Sequence, residues 1–196
     1  MYKMFNGIFQ RKEQSKEEVK EKWNGEGGLK LSYPPDWSDI EMDLRGMIMG
    51  ICTGQVCEIG CGPGRIASYL PAANYIGIDI NQTAINEAQK KLPSYLFKKI
   101  NWEDDYPFAQ TYLLFTVLFH IPDNELSSIV SKLTNKVVIV EAMGRWLRDY
   151  GRGNNYLRDP EEYRNTFATY GFRELKFIHF SSKRYPYFIN MQVFKK

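Results

Sequence analysis

Short apolar runs alternate with amphipathic segments through the middle of the chain. The apolar runs, each of which predicts a buried strand, are 56–59, 75–80, 95–100, 111–119 and 137–140. Helical spacing separates most of them, at 64–70, 82–91 and 123–133, with Asp123 placed to cap the last helix. Only a short acidic loop joins the third and fourth strands. Buried strands that alternate with helices are typical of a parallel sheet covered on both faces.

The pattern changes on either side of this alternation. Two helical segments are predicted near the N-terminus, each opened by a capping box: Ser15 with Glu18, and Ser38 with Glu41. The glycine-rich stretch 25–35 between them predicts a loop able to fold over a neighbouring site. After the fifth strand, residues 159–162 begin a helix that Gly171 ends. Runs at 172–180 and 185–194 then predict an antiparallel hairpin with its turn at 181–184.

A glycine-rich motif stands where the first strand turns into the first helix. It reads Glu58-x-Gly60-x-Gly62-x-Gly64 and is followed by Arg65. Glycines there let the backbone approach a ligand closely. A dinucleotide fingerprint, GxGxxG, would need a third glycine where Arg65 stands, and a pyrophosphate would be poorly served by Glu58. A ligand with a sulfonium and an ammonium group tolerates an acid nearby.

A second acid ends the second strand. Asp79 closes the run Tyr-Ile-Gly-Ile-Asp, fifteen positions after the last glycine of the motif. A carboxylate in this place accepts hydrogen bonds from both hydroxyls of a ribose. The alternative is an ordinary helix N-cap, but the spacing from the glycine motif favours ribose binding.

With Phe119-His120-Ile121-Pro122-Asp123 after the fourth strand, these motifs resemble those of the class I methyltransferases that use S-adenosylmethionine (SAM). The resemblance covers nearly all of the chain after the first thirty or so residues. It implies SAM as the cofactor. It also implies an α/β fold: a doubly wound, mostly parallel seven-stranded sheet with helices on both faces, whose last two strands form the C-terminal antiparallel hairpin. The expected cofactor contacts are Glu58, Gly60, Gly62, Gly64, Asp79, Ile80, Asn101, Trp102 and Phe115.

The adenine contact is where the sequence departs from the family. The family's acidic residue after the third strand falls near Asn101, whose side-chain oxygen can still accept a hydrogen bond. Glu103 or Asp104 takes this contact if the loop is shifted by a few residues. The neighbouring Trp102 either flanks the adenine ring or anchors the loop.

Methyl transfer is an in-line displacement from a sulfonium, so positioning dominates, and a general base is needed only when the acceptor must lose a proton. His120, beyond the fourth strand, is the first candidate base, and Glu141, at the end of the fifth strand, is the second. The alternative for His120 is that it only shapes the turn with Pro122. Glu141 could instead bind a hydroxyl or amine of the substrate.

Substrate recognition is expected in the segment 143–158, which is rich in arginine, aromatic residues and glycine. Arginine suits bidentate contacts with carboxylate or phosphate, and aromatic rings suit stacking. The candidate contacts are Arg145, Trp146, Tyr150, Tyr156 and Arg158. The alternative is a solvated helix and loop.

Length and charge refine this picture. A chain of 196 residues predicts one domain, divided into an N-terminal helical segment and possible lid (1–50), a cofactor-binding core (51–142) and a substrate loop, helix and hairpin (143–196). The net charge is +3, but residues 141–196 carry 11 basic and 6 acidic groups, an excess of +5. That excess suits an anionic small-molecule acceptor, such as a sugar derivative or an acidic metabolite; a solvated basic face explains it equally well.

Several classes of protein are disfavoured. The 3 clustered cysteines and 2 histidines make neither a disulfide framework nor a metal site, so no metal is expected. No apolar run approaches the roughly 20 residues of a membrane span, so we expect a cytoplasmic protein with no membrane partner, and nothing indicates its oligomeric state. A nucleic-acid methyltransferase is the first rival, although the proline pair 34–35 lacks the flanks of an amino-methylating motif. A non-catalytic SAM-binding protein is the second.

Overall fold

The computed structural model describes residues 2–5, 8–11, 14–26, 41–143, 156–181 and 188–196. Side chains are described for 14–26, 44–143, 156–180 and 189–196. Some of the predictions above lie outside these ranges: the Ser38 capping box, most of the glycine-rich loop, the substrate candidates Arg145, Trp146 and Tyr150, and most of the hairpin turn.

The strands and helices follow one another in the predicted order from the glycine motif onwards. The strands are β1 (Tyr2–Phe5), β2 (Ile8–Arg11), β3 (Val56–Ile59), β4 (Tyr75–Asp79), β5 (Leu96–Lys99), β6 (Thr111–Phe115), β7 (Lys136–Ala142), β8 (Arg173–Ser181) and β9 (Phe188–Lys195). The α-helices are α1 (Lys16–Asn24), α2 (Glu41–Ile51), α3 (Gln82–Lys91), α4 (Asp123–Ser131) and α5 (Pro160–Thr169). Among the described residues, no helix is long and apolar enough to cross a membrane.

A seven-stranded sheet forms the centre, in the order β5-β4-β3-β6-β7-β9-β8. Strands β3 to β7 pair in parallel, and β9 pairs antiparallel with both β7 and β8. The predicted fold class is therefore confirmed, including the C-terminal hairpin. The strand order reverses at β3: strands β4 and β5 are added on one side of it, and β6 and β7 on the other. Open α/β sheets bind ligands at the carboxyl ends of the strands beside such a reversal.

Alternate residues of the central strands pack on opposite faces. Cys57 and Ile59 belong to an apolar cluster that contains residues of α1, α4 and α5, whereas Val56 belongs to one that contains residues of α2 and α3. This alternation arises because successive side chains of a strand point to opposite sides of the sheet. The cover of helices on both faces explains why these strands are apolar on both sides.

The N-terminal segment differs from the prediction. A two-stranded antiparallel hairpin, β1 with β2, precedes α1, and the sequence analysis did not predict it. The signal that would have found it is an Asn-Gly pair at 6–7 between two short runs. The capping box of Ser15 and Glu18 is confirmed at the start of α1, and Val19 of that helix is buried.

Two helix predictions in the core are corrected. The segment 64–70 contains only a short 3-10 turn, Ala67–Tyr69; Gly64 has a φ of +80°, so it cannot be the first residue of a right-handed helix. At α4, Pro122 occupies the N-cap position, and Asp123 is the first helical residue rather than the cap. The Asp123 carboxylate lies 2.7 Å from the Arg158 guanidinium instead.

Candidate functional site

The glycine motif becomes a loop, residues 60–65, that leaves the sheet at the carboxyl end of β3. The N–H groups of Gly60 and Cys61 both donate to the Ile78 carbonyl, at 2.8 and 3.1 Å, which ties the start of the loop to β4. Gly60 and Gly62 have φ of +72° and +51°, in the left-handed region that residues with side chains rarely adopt. The loop therefore exposes backbone at a point where a side chain would strain it.

Asp79 meets this loop from the neighbouring strand. Its Oδ2 accepts the Gly62 N–H at 2.8 Å, and its Oδ1 accepts the Asn81 N–H at 2.8 Å. Burial raises the pKa of the Asp79 carboxyl group, against the opposing effect of its backbone hydrogen bonds. The residue as a whole is half-buried beside the loop. These groups fit a nucleoside held between the glycine-rich backbone of the loop and the Asp79 carboxylate.

Glu58 lies beneath the loop rather than in it. The side chain is buried and accepts a hydrogen bond from the Tyr75 hydroxyl. Burial raises the pKa of Glu58 to about 8, although Tyr75 and the nearby Arg65 oppose the shift. Its role as a cofactor contact stays a prediction, and its position is that of a support for the loop.

The remaining predicted cofactor contacts line the same edge. Ile80 follows Asp79 and is half-buried, and Phe115 ends β6 with the Arg65 guanidinium 4.7 Å above its ring. Asn101 is exposed, and its N–H donates to Asp104 Oδ2 at 2.8 Å. Asp104 therefore stabilises this loop.

Trp102 belongs to the same apolar cluster as Val19 of α1. Its side chain is buried, the Lys16 ammonium lies 5.7 Å from its ring centroid, and its Nε1 has no hydrogen-bond partner among the described residues. Of the two roles left open by the sequence, this burial favours anchoring of the loop.

The third component of the site, residues 116–121, is called the β6 turn below. Thr116 has a φ of +56°, and residues 118–120 form a 3-10 helix. The imidazole of His120 lies 3.8 Å from the Phe119 ring and 4.2 Å from the Trp23 ring, measured between centroids. The turn thus places the predicted base at the same edge of the sheet as the glycine loop, under α1.

Glu141 and Arg158, predicted as base and substrate contact, both lie behind the β6 turn. The Glu141 side chain is 0% exposed, and its Oε1 accepts the N–H groups of Val117 and Leu118 at 2.8 and 2.7 Å. Arg158 is 2% exposed and donates to the carbonyls of Leu118 and Ile121. Their predicted roles stay predictions, but neither group reaches the surface.

Tyr156, another predicted substrate contact, is also buried. Its N–H donates to the Phe119 carbonyl, and its hydroxyl accepts the Gln14 N–H at 3.1 Å. It therefore joins the β6 turn to the segment before α1.

Helix α1 lies across this edge of the sheet, which the sequence did not reveal. The Asn81 side chain caps α3 by accepting the Ala84 N–H at 3.0 Å, and its Nδ2 donates to the carbonyls of Trp23 and Gly25 at 2.7 and 3.2 Å. The end of α1 is thereby fixed two residues from Asp79. The sequence does show an asparagine, Asn81, in a capping position two residues after Asp79. It does not show that the Asn81 side chain also binds the end of α1.

Ion pairs hold the other end of α1. Lys16 lies 3.4 Å from Glu103 and 3.2 Å from Glu125, and Lys20 also pairs with Glu103. The hydrogen bond from Lys20 lowers the pKa of Glu103. These contacts join α1 to the loop after β5 and to α4, so that the helix spans the site.

The same architecture occurs in solved methyltransferases. The magnesium protoporphyrin IX methyltransferase of Synechocystis PCC 6803, with bound SAH, superposes with a TM-score of 0.72 at 19% identity, over 93% of this chain and 100% of that one. A family model described as a methyltransferase domain matches residues 56–137, a range that contains the glycine loop, Asp79 and the β6 turn. The chain thus has the fold of the class I, Rossmann-like methyltransferases, and its residues 56–137 match a methyltransferase domain.

Three sequence relatives share one name, trans-aconitate 2-methyltransferase. Trans-aconitate 2-methyltransferase of Afipia carboxidovorans is 31% identical over 108 residues, which cover 52% of this chain and 41% of that protein. The enzyme of the same name from Rhodopseudomonas palustris is 29% identical over the same length. The chain thus spans less than half of the length of these relatives.

The fold alone leaves the chemistry open. The structure of the [4+2]-cyclase SpnF superposes on this chain with a TM-score of 0.63 at 13% identity. A shared fold therefore accommodates different reactions, and activity has to be argued from the site. Among the described residues, no group of three or more His, Cys, Asp and Glu side chains is arranged to hold a metal ion.

Proposed function

We propose that this protein binds SAM and transfers its methyl group to an oxygen or nitrogen atom of a small, anionic acceptor. The observation that carries the proposal is the meeting of the glycine loop, the Asp79 carboxylate and the β6 turn at one edge of the sheet. In open α/β sheets, ligands bind at the carboxyl ends of the strands where the strand order reverses, and here these three components lie at that place.

The chain's own residues divide the work of binding and positioning. The backbone of residues 60–64 and the carboxylate of Asp79 would hold the nucleoside, with Ile80 and Phe115 beside it. When bound, SAM supplies a methyl group on a sulfonium leaving group. The protein then has to orient the acceptor, and correct orientation removes about 7 to 11 kcal/mol of an activation barrier.

His120 would face the acceptor from the β6 turn. An acceptor hydroxyl or ammonium must lose a proton, and an imidazole in this place could take it. A carboxylate acceptor has no proton to lose, and His120 would then only contact it. The need for a base therefore depends on the acceptor atom.

Three observations support a small, anionic acceptor. The relatives are named for trans-aconitate, an organic acid, and the C-terminal part of this chain has a positive excess of +5 over residues 141–196. Contacts from Arg145, Trp146 and Tyr150 belong to this proposal but lie outside the described residues. Helix α1 covers the edge beside Asp79 and His120, which suits a small ligand better than a macromolecule. We propose it as the lid of the site.

The test is transfer of label from methyl-labelled SAM to three pools: organic acids, other small metabolites and RNA. Labelled organic acids would support the whole proposal. Labelled RNA would replace the acceptor with a nucleic acid, and SAM binding without any labelled product would indicate a non-catalytic protein. Asp79→Ala should abolish labelling at low SAM concentration. Asp105→Ala, which removes an exposed carboxylate from the loop after β5, is the matched control and should label normally.

A further inference from the structure

The backbone that follows β6 adopts a conformation its sequence does not favour. Thr116 has a φ of +56°, a region that β-branched residues rarely enter. Its N–H donates to the Val140 carbonyl of β7 at 2.8 Å. Such a conformation persists only where the surrounding structure imposes it, and strained residues of this kind are concentrated at functional sites.

Glu141 supplies acceptors for the first part of the β6 turn. The N–H groups of Val117 and Leu118 converge on one carboxyl oxygen, Oε1, which lies on the strand beside β6. Burial raises the pKa of Glu141 to about 8, although its hydrogen bonds to this backbone oppose the shift. The other oxygen, Oε2, is buried without a hydrogen-bond partner among the described residues.

Arg158 supplies donors for the second part. Its Nη1 donates to the Leu118 carbonyl at 2.8 Å, and its Nη2 donates to the Ile121 carbonyl at 2.7 Å. Asp123 balances its charge at 2.7 Å. A planar guanidinium has several donors in a fixed geometry, so it can fix two carbonyls in a way that a lysine cannot.

We propose that Glu141 and Arg158 form a clamp that sets the position of the β6 turn for methyl transfer. Both are positioning residues, because both side chains are buried and act on backbone groups of the turn. One end of the clamped turn carries His120. The other end carries Val117, whose Cγ2 lies so close to Gly60 that a Cβ added there would be only 2.4 Å away. By fixing the β6 turn, the clamp would thus align His120, which faces the acceptor, with the glycine loop.

The first measurement is hydrogen exchange of the Val117 and Leu118 amides. Glu141→Ala should raise their exchange rates by at least about tenfold, as expected for the loss of a hydrogen bond to a carboxyl group. Glu141→Gln keeps an acceptor oxygen and should restore most of the protection. The matched control is Gln192→Ala: Gln192 is equally buried, but it lies on β9 and donates to Pro160 and Glu174. This control should leave the two amides unchanged.

The second measurement is label transfer from SAM, at a temperature where every variant is folded. This measurement rests on the proposed function. Glu141→Ala and Arg158→Lys should each lower the turnover rate by about 100-fold, the cost of a small misplacement of reacting groups. Glu141→Gln should recover most of the rate, and Gln192→Ala should lose stability without losing rate.

Two results would overturn the clamp. Unchanged amide exchange in Glu141→Ala would show that the carboxyl group does not hold the turn. Full amide protection in Glu141→Gln with transfer as low as in Glu141→Ala would make Glu141 a general base. If the wild type transfers no methyl group to any pool, the proposed function fails, and the exchange rates still decide whether the clamp exists. If Glu141→Ala does not fold, Arg158→Lys decides it: the clamp predicts faster exchange of the Val117 and Leu118 amides, and unchanged exchange would overturn it.

Discussion

Replacing Gly60 with alanine would add a methyl group where the glycine loop touches the β6 turn. The φ of Gly60 is +72°, and a side chain in this region costs about 1–2 kcal/mol. The added Cβ would also lie 2.4 Å from Cγ2 and 3.2 Å from Cγ1 of Val117. Overpacking of this kind costs about 1–3 kcal/mol. The free energy of unfolding should therefore fall by about 2–5 kcal/mol in Gly60→Ala.

The two contributions can be separated by removing the atoms that clash. Val117→Ala alone should cost about 1 kcal/mol for its lost methyl groups. In the double variant, the Cβ of residue 117 would lie 3.4 Å from the new Cβ, which is close to ordinary contact. The clash then disappears and only the backbone strain remains, so the two substitutions should cost about 1–3 kcal/mol less together than the sum of their separate effects.

Denaturant unfolding of the two single variants and the double variant measures this coupling. The control is Gly64→Ala, which also has a positive φ, of +80°, but whose added Cβ would meet Phe97 and Ala88 at 3.1 and 3.2 Å. Its effect should add to that of Val117→Ala within about 0.5 kcal/mol, because the two sites share no clash. Additive effects of Gly60→Ala and Val117→Ala would refute the contact between the loop and the turn.

Three further predictions concern the acids and the asparagine of the site. Asp79→Ala should weaken calorimetric binding of SAM by about 10- to 150-fold, the equivalent of a hydrogen bond to a charged group, and unchanged affinity would remove Asp79 from the site. Burial raises the pKa of Glu58 from its ordinary value of 4.5 to about 8, so the folded state keeps a proton that the unfolded chain releases between these values. The stabilisation that this proton provides is complete below pH 4.5 and is lost as the pH rises through 8. The unfolding free energy of the wild type should therefore fall relative to that of Glu58→Gln by up to about 1.4 kcal/mol per pH unit. A constant difference between the two proteins from about pH 5 to 8 would contradict the shift. Asn81→Ala should destabilise the protein by about 1–2 kcal/mol through loss of the α3 cap and should speed proteolysis within 14–26; cleavage at the wild-type rate would show that Asn81 does not hold α1.

Local patterns were sufficient to predict the central sheet and the cofactor edge. Helix α3 was predicted with its observed bounds, 82–91, and the glycine motif and Asp79 lie at the strand ends expected from the sequence. These features depend on residues close together in the chain, whose periodicity and backbone preferences act before any tertiary contact forms. The helix predicted at 64–70 was wrong: the helical spacing of its side chains reveals neither that Gly64 has a left-handed conformation nor that only residues 67–69 form a 3-10 turn.

Contacts between distant segments were decided only by the tertiary structure. Arg158 and Leu118 are 40 positions apart, and Asn81 and Trp23 are 58 apart, so no local pattern relates them. The sequence showed an arginine in a basic segment and a glutamate at a strand end, which suggested a substrate contact and a base. Packing of the segment after β7 against the β6 turn buried both groups and matched them to backbone donors and acceptors. A buried polar group must find a partner, and which partner it finds depends on how the elements pack rather than on the residues beside it in the chain.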